Sequence, residues 1–269
     1  MAKRTKAFWI RLSILLFILF VVVLWAIRDT WTRRERLAWD HTLDVAIVLV
    51  HVDGTDAVDP NATAALTTRA DALAMRLADE QKKYRHGAPA PFRFHVKGPV
   101  ESKAAAPSPA SDSFGDLARQ AWDVSKWTDE VDSRAGVVAA HYDSRIYIMV
   151  KKPSSDVRST VEGRSEQGGR RGFVDVELDA SMVDLALMVV AHETFHTLGA
   201  TDKYDAQGRA RIPDGLVDPH ASPLYPQAKA EVMARNRPVA EGHESVPDTL
   251  DELGVGPATA AELRWSSAD

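Results

Sequence analysis

The stretch from Ala191 to Asp202 limits what this chain can fold into more than any other. It reads Ala-His-Glu-Thr-Phe-His-Thr-Leu-Gly-Ala-Thr-Asp. His192 and His196 are four residues apart, so on a helix both imidazoles leave the same face, one turn apart. Glu193 is rotated about 100° from His192 around the helix axis, beside that face but not on it. Three residues after His196 comes Gly199, where a glycine can take positive φ and end a helix abruptly. The chain must then turn, and Asp202, three residues further on, is placed to swing back toward the imidazoles. Upstream, Ser181 with Asp184 three residues later has the form of a capping box, so the helix is expected over residues 181–198.

Two imidazoles and a carboxylate converging in this way suit a single cation. The chain has no cysteine, so thiolates are excluded and the strong candidate ligands are His, Asp and Glu. The ligand set His192, His196 and Asp202 fits zinc, which keeps a position for water when only three protein groups bind it and lowers that water's pKa to about 7. Glu193 is then suited to be the general base for a metal-activated water attacking a peptide carbonyl, passing the proton on to the departing amine. Asp205 is a nearby competitor of Asp202 for the third ligand position. His220 and His243 stand singly among loop-forming residues, and His51, His95 and His141 lie in or beside expected strands without ligand spacing, so these five are read as structural or loop residues.

The residues from Gly172 to Arg235 resemble the metzincin zinc peptidases, whose extended motif is His-Glu-x-x-His-x-x-Gly-x-x-His/Asp. With Asp202 in the last place, the version here looks most like the snapalysin group of small bacterial neutral proteases. The resemblance implies a twisted mixed sheet above the active-site helix, with a cleft between them. It also implies a methionine-containing turn beneath the metal, matched by Glu-Val-Met-Ala at 231–234, with Met233 as an apolar floor and not a ligand. Several metzincins carry a Tyr just after this Met that stabilises the transition state. Here Arg235 follows instead, and Tyr204 is a candidate stand-in. In that family the sheet's edge strand pairs with extended substrate, and residues 173–178 occupy the matching place in order.

The remaining segments supply a sheet and its helices. Residues 45–52 form a continuous apolar run of strand length, as expected of a strand covered on both faces. Asp59 and Pro60 make an N-cap and N1 pair for a helix carrying Leu66, Ala70, Leu73, Leu77 and Tyr84 until Gly87. Phe92, Phe94 and Val96 alternate with polar residues as a second strand. An Ala/Pro/Ser-rich loop over residues 102–113 precedes an amphipathic helix over about 114–131. Ile146, Ile148 and Val150 mark a third strand, and residues 153–172 read as a polar loop with four glycines and the basic residues Arg158, Arg164, Arg170 and Arg171. Val174, Val176 and Leu178 alternate with Asp175 and Glu177, a fourth strand with the charged outer face used to protect an edge. A last short helix is expected over about 257–265. The expected fold is α+β: a metzincin-like mixed twisted sheet, an active-site helix and a largely irregular C-terminal subdomain, preceded by one transmembrane helix.

That first helix is residues 7–27, an apolar run about 31 Å long at 1.5 Å per residue, close to bilayer thickness. Trp9 and Trp25 fall where interfacial aromatics belong. No small-x-small pattern follows, which favours an uncleaved anchor over a cleaved signal peptide. The expected organisation is a cytoplasmic tail (1–6), a signal-anchor helix (7–27), a juxtamembrane linker (28–43) and a zinc peptidase domain (44–269). The first 36 residues hold eight Lys/Arg against two Asp/Glu, leaving 25 basic and 36 acidic residues elsewhere, a net −11. So acidic a domain repels phosphates, which excludes nucleic acid as a partner. The sequence therefore reads as a membrane-anchored zinc-dependent endopeptidase facing the periplasmic side of a bacterial inner membrane, with a peptide or protein substrate laid along residues 173–178. Two alternatives stay open: a tethered interaction domain with non-catalytic zinc, and a zinc amidase acting on cell-wall peptides.

Overall fold

The computed structural model describes residues 6–52, 60–108, 114–151, 162–165 and 167–266. The N-cap Asp59, loop arginine Arg158, the side chain of Trp25 and most of the expected N-terminal tail lie outside the described residues. The chain divides into two compact units, Met1–Ala38 and Trp39–Asp269.

The first unit is helix α1, Lys6–Arg36. Within it, Phe8–Arg36 is long and apolar enough to cross a membrane, its 18-residue apolar stretch having a mean hydropathy of 2.8. The same length and composition near an N-terminus also fit a signal sequence. The helix continues past residue 27 and includes residues 28–36, expected as linker.

In the second unit, strand β1 (Leu43–Val52) is followed by α2 (Pro60–Lys82), β2 (Phe92–Ser102), α3 (Phe114–Ala135), β3 (Ser144–Lys151), β4 (Glu162–Ser165), β5 (Arg171–Glu177) and α4 (Val183–Leu198). The strands form one mixed sheet in the order β2-β1-β3-β5-β4. Neighbours run parallel except β4, which is antiparallel to β5. β1 lies inside the sheet between β2 and β3, and its residues 45–50 are apolar and buried on both faces. Ala46, Val48, Val50, Tyr147, Met149 and Phe173 meet Trp127 and Val131 of α3 on one side. On the other side lie α2 and α4, which pack against each other; the Phe195 ring of α4 sits 5.9 Å from that of Phe92 in β2.

Four sequence expectations differ from the structure. Residues 173–178 are not the sheet edge: β4 pairs outside β5 and is the outermost strand on that side among the described residues. Residues 162–165 had been expected as loop, and Glu-Gly-Arg-Ser is too short and polar to announce a strand. Its Arg164 explains the charged alternation of β5, since it bonds Asp175 at 3.1 Å and lies 5.2 Å over the Phe173 ring. The charge at Asp175 thus answers a neighbouring strand. Nor does the capping box form. Asp179 accepts the N–H groups of Ser181 (2.7 Å) and Met182 (3.2 Å), while Asp184 binds Arg69 and accepts the N–H of Leu250 at 3.1 Å. Finally, the helix begun at Pro60 closes at Lys82, before Gly87.

After α4 the chain is mostly irregular, with short pairings β6 (Ala230–Glu231), β7 (Arg237–Ala240), β8 (His243–Ser245) and β9 (Leu253–Gly254), then α5 (Pro257–Glu262). An aromatic cluster joins this region to the sheet layer. Trp265 contacts Trp39 and Phe195, both at 5.7 Å between ring centroids, and the Trp39 indole donates to Leu263 O at 2.6 Å. Glu80 of α2 makes a second tie: fully buried, it pairs with Arg76 (2.7 Å) and Lys229 (2.9 Å) and accepts the N–H of Val255 at 3.1 Å.

Candidate metal centre

Helix α4 is buried along most of its length, so its side chains are directed by packing on several sides. It ends at Gly199, whose φ of 100° lies in the left-handed region that glycine adopts without strain. The N–H of Gly199 bonds His196 O (2.9 Å) and that of Ala200 bonds Phe195 O (3.1 Å). This bend brings Ala200 O to within 2.9 Å of His196 Nδ1 and delivers Asp202 to the face that carries both histidines.

There three ligand atoms meet. His192 Nε2 and His196 Nε2 are 3.1 Å apart, and Asp202 Oδ1 lies 3.3 Å from the first and 3.1 Å from the second. Both Nδ1 atoms are already committed to backbone carbonyls, His192 to Val232 O and His196 to Ala200 O, each at 2.9 Å. A carbonyl only accepts, so Nδ1 carries the proton in each ring, and the neutral imidazole turns its Nε2 lone pair inward. Three facing acceptors repel unless a positive charge lies among them. Burial works against protonating His196, but Asp202, Ala200 O and Glu193 outweigh it and raise its pKa above the ordinary value. Burial likewise pushes the Asp202 carboxyl upward, yet the two imidazoles hold it well below the usual range. Donors on one zinc ion at about 2.0–2.1 Å and tetrahedral angles stand roughly 3.3 Å apart, so this triangle fits the ion. Among the described residues His192, His196 and Asp202 form the group able to hold a metal.

Asp205, the competing ligand, is occupied elsewhere: its carboxylate accepts the N–H groups of Gln207 (2.9 Å) and Arg209 (3.0 Å) and pairs with the Arg209 guanidinium. His220 and His243 are exposed, and His95 is paired with Asp44 at 2.6 Å.

Glu193 lies beside the cluster, its Oε1 4.0 Å from His192 Nε2. The side chain is buried, and Oε2 has no hydrogen-bond partner among the described residues. Two glycines make room for it. A Cβ on Gly163 of β4 would lie 2.0 Å from Glu193 Oε1, and one on Gly172 of β5 would lie 3.1 Å from Glu193 Cβ. Sequence reasoning passed over both as loop glycines. In the β4–β5 register Gly163 pairs with Val174 and Gly172 with Ser165, which sets both glycines on the sheet face turned to Glu193, and no local pattern in the sequence marks that pairing. The β4–β5 connection also grips the end of α4, with Gly168 N–H bonding His196 O at 2.8 Å.

On the other side, the Tyr204 ring stacks beside His192, 6.3 Å between centroids and 20° from parallel, and the Arg235 guanidinium lies 5.8 Å over Tyr204. Burial first, then Asp202, raise the phenol's pKa, so it is a proton donor at neutral pH. The 231–235 turn runs beneath. Met233 is fully buried, and the turn reaches the cluster through its backbone at Val232 O. A cavity of about 470 Å³ opens beside His192, lined by Leu185, Met188, Val189, Tyr204 and Val232 among others.

No protein-family model matches the chain, and no curated protein matches it. Solved structures similar to it include the archaemetzincin of Methanopyrus kandleri, 15% identical over 83% of this chain and 95% of that one, with a TM-score of 0.36. They also include OgpA from Akkermansia muciniphila in two crystal forms, each 14% identical, with TM-scores of 0.40 and 0.41. The matches span 82% and 85% of this chain but only 59% and 62% of OgpA. Likeness at this level leaves activity to be argued from the cluster itself.

Proposed function

We propose that this chain is a zinc-dependent endopeptidase tethered to a membrane by α1, with His192, His196 and Asp202 as the metal ligands and Glu193 as the general base. The observation that carries the reading is the meeting of three lone pairs within 3.3 Å, with both Nδ1 atoms fixed by carbonyls. A bound zinc ion supplies Lewis acidity and lowers the pKa of water to about 7. Glu193, buried beside the ligands with one oxygen unengaged among the described residues, takes the proton from the attacking water and returns it to the leaving amine. The Tyr204 phenol, still protonated at neutral pH, donates to the carbonyl oxygen as it gains charge. A site that only bound zinc for structure would have no use for Glu193 in this place, which disfavours the non-catalytic reading.

An extended peptide is taken up along β4, the outermost described strand, by backbone hydrogen bonds. This moves the substrate edge one strand outward from residues 173–178. One substrate side chain enters the cavity beside His192, whose walls favour an apolar group. The helix spans the lipid bilayer with the acidic domain on the extracytoplasmic side, periplasmic in a bacterium, and nucleic acid is not a partner.

The test is metal analysis of the full-length chain in detergent together with digestion of casein, an unbiased peptide library and cell-wall peptides. The expected result is close to one zinc per chain, with casein cleavage abolished by chelation and restored by zinc. A chain that binds no zinc sinks the reading. Zinc with cleavage of cell-wall peptides alone would replace the endopeptidase by an amidase.

A further inference from the structure

Glu231 is a fully buried carboxylate that the chemistry above does not use. It stands at the start of the turn under the cluster and folds back on it. Oε2 accepts the N–H groups of Met233 at 2.6 Å and Ala234 at 3.0 Å, and Oε1 accepts that of Gly256 at 3.2 Å. Its own carbonyl accepts Ala234 and Arg235 N–H, both at 2.9 Å, and the next residue, Val232, donates to Gly254 O at 3.0 Å. The turn then closes at Arg235 with φ of 72°, a left-handed conformation that a non-glycine residue keeps only when its surroundings demand it. Gly256 is held close: a Cβ there would meet Leu216 O at 2.3 Å and Glu231 Cγ at 3.2 Å.

Two carbonyls leave this turn toward the metal ligands. Val232 O takes the His192 Nδ1 proton at 2.9 Å. Met233 O takes the N–H of Lys203, next to Asp202, at 2.9 Å. Burying a carboxylate is costly unless hydrogen bonds satisfy its oxygens, as three backbone N–H groups do here. What they fix here is the direction of the two carbonyls that orient one ligand and steady the loop of another.

We infer that Glu231 is a positioning residue for the metal centre: by locking the 231–235 turn it sets the tautomer and aim of His192 and the place of Asp202, and through them the affinity for zinc. The inference rests on the proposed ligand set. It adds that affinity depends on a carboxyl group whose hydrogen bonds go to the turn and to Gly256, not to a ligand, carried by an irregular segment 29 residues beyond Asp202 in sequence.

The experiment is zinc competition against a chromophoric chelator, with thermal melting of the metal-free chain, on full-length parent, Glu231→Gln, Glu231→Asp and Asp184→Asn. Gln keeps the shape of Glu231 but turns an N–H₂ toward groups that need an acceptor. Asp184→Asn weakens a tie to Arg69 and Leu250 away from the turn and serves as the stability control. The expected result is a zinc affinity ~10- to 100-fold lower in Glu231→Gln, the range for groups that support a ligand. Asp184→Asn should melt earlier yet bind within roughly threefold of the parent. A folded Glu231→Gln with parental affinity overturns the inference. Should that variant fail to melt cooperatively, Glu231→Asp decides: reduced affinity supports the inference and parental affinity overturns it. A parent that binds no zinc instead removes the ligand set itself, a distinct outcome.

Discussion

The two sides of the candidate metal cluster are built by different means. His192, Glu193 and His196 come from one turn of α4, and the helix's own backbone fixes their relative directions. Asp202, Tyr204 and the 231–235 turn come from irregular chain, where nothing repeats. That side is held by ionisable groups taken out of water: Glu231 under the turn, and Lys203, buried against Glu262 at 2.6 Å. Regular structure orients side chains at no electrostatic cost, whereas the irregular side relies on buried ionisable groups with their hydrogen bonds satisfied. The helix side should therefore fail in chemistry when altered, and the loop side in metal affinity.

The largest expected effect is on the helix side. Glu193→Gln leaves all three ligands in place and removes the base, so hydrolysis should fall by ~10²–10⁴-fold with one zinc retained per chain. Casein digestion at the parental rate would mean the proton moves through another group. Next comes Asp202→Ala on the loop side. Loss of a ligand should exceed the roughly 100-fold drop expected from loss of its supports, measured by the same zinc competition. Unchanged affinity would place the third ligand elsewhere.

A smaller change separates position from identity. In Gly163→Ala the new methyl meets Glu193 Oε1, 2.0 Å from where Cβ would stand. The carboxylate is the far end of a side chain and can swing aside, so folding and zinc affinity should hold. Swinging takes the base off its line, and misplacement of about 1 Å can cost on the order of 10²-fold in rate. A drop in kcat with unchanged melting temperature and zinc affinity is the expected pattern. Parental kcat would mean Glu193 works from more than one position.

The same division decides what the sequence could disclose. The helix, its glycine stop and the aspartate beyond are spaced within eleven residues, and helical period alone brings the imidazoles together. β1 was legible because a continuous apolar run marks a strand covered on both faces, and β3 through Ile146, Ile148 and Val150. β4 was not, since four residues bearing Gly163 and Arg164 show no period and form a strand only against β5. The edge was misplaced for the same reason: Asp175 and Glu177 carry the charge pattern of an edge, but Arg164 answers Asp175 from across the hairpin. Asp184 had the spacing of a cap and serves instead as a long-range anchor for Arg69. Met233 was found by motif. The carboxylate that shapes its turn was not, because Glu231 on paper is one acidic residue among 38, and only burial reveals it.

The smallest expected effect comes from the last loop-side tie. Glu262 accepts Thr201 N–H at 2.9 Å, the Thr201 hydroxyl at 2.8 Å and Lys203 Nζ at 2.6 Å, bracing the chain on both sides of Asp202. Burial raises its carboxyl pKa, but Lys203 and Thr201 outweigh that and leave it below the ordinary value. Since the folded chain holds this group ionised to lower pH than the unfolded chain does, its contribution is complete above the ordinary glutamate range and is lost as pH falls through the folded value. At pH 7, Glu262→Gln should lower the melting temperature of the metal-free chain by a few degrees, about 1 kcal/mol for a partly exposed pair, and weaken zinc by less than ~10-fold. The gap between parent and variant should narrow as pH falls below the glutamate range. A gap of equal size at pH 3.5 would mean the ion pair contributes nothing and the hydrogen-bond geometry alone steadies the loop. A zinc loss as large as that of Glu231→Gln would mean that α5 and the turn control Asp202 with equal weight.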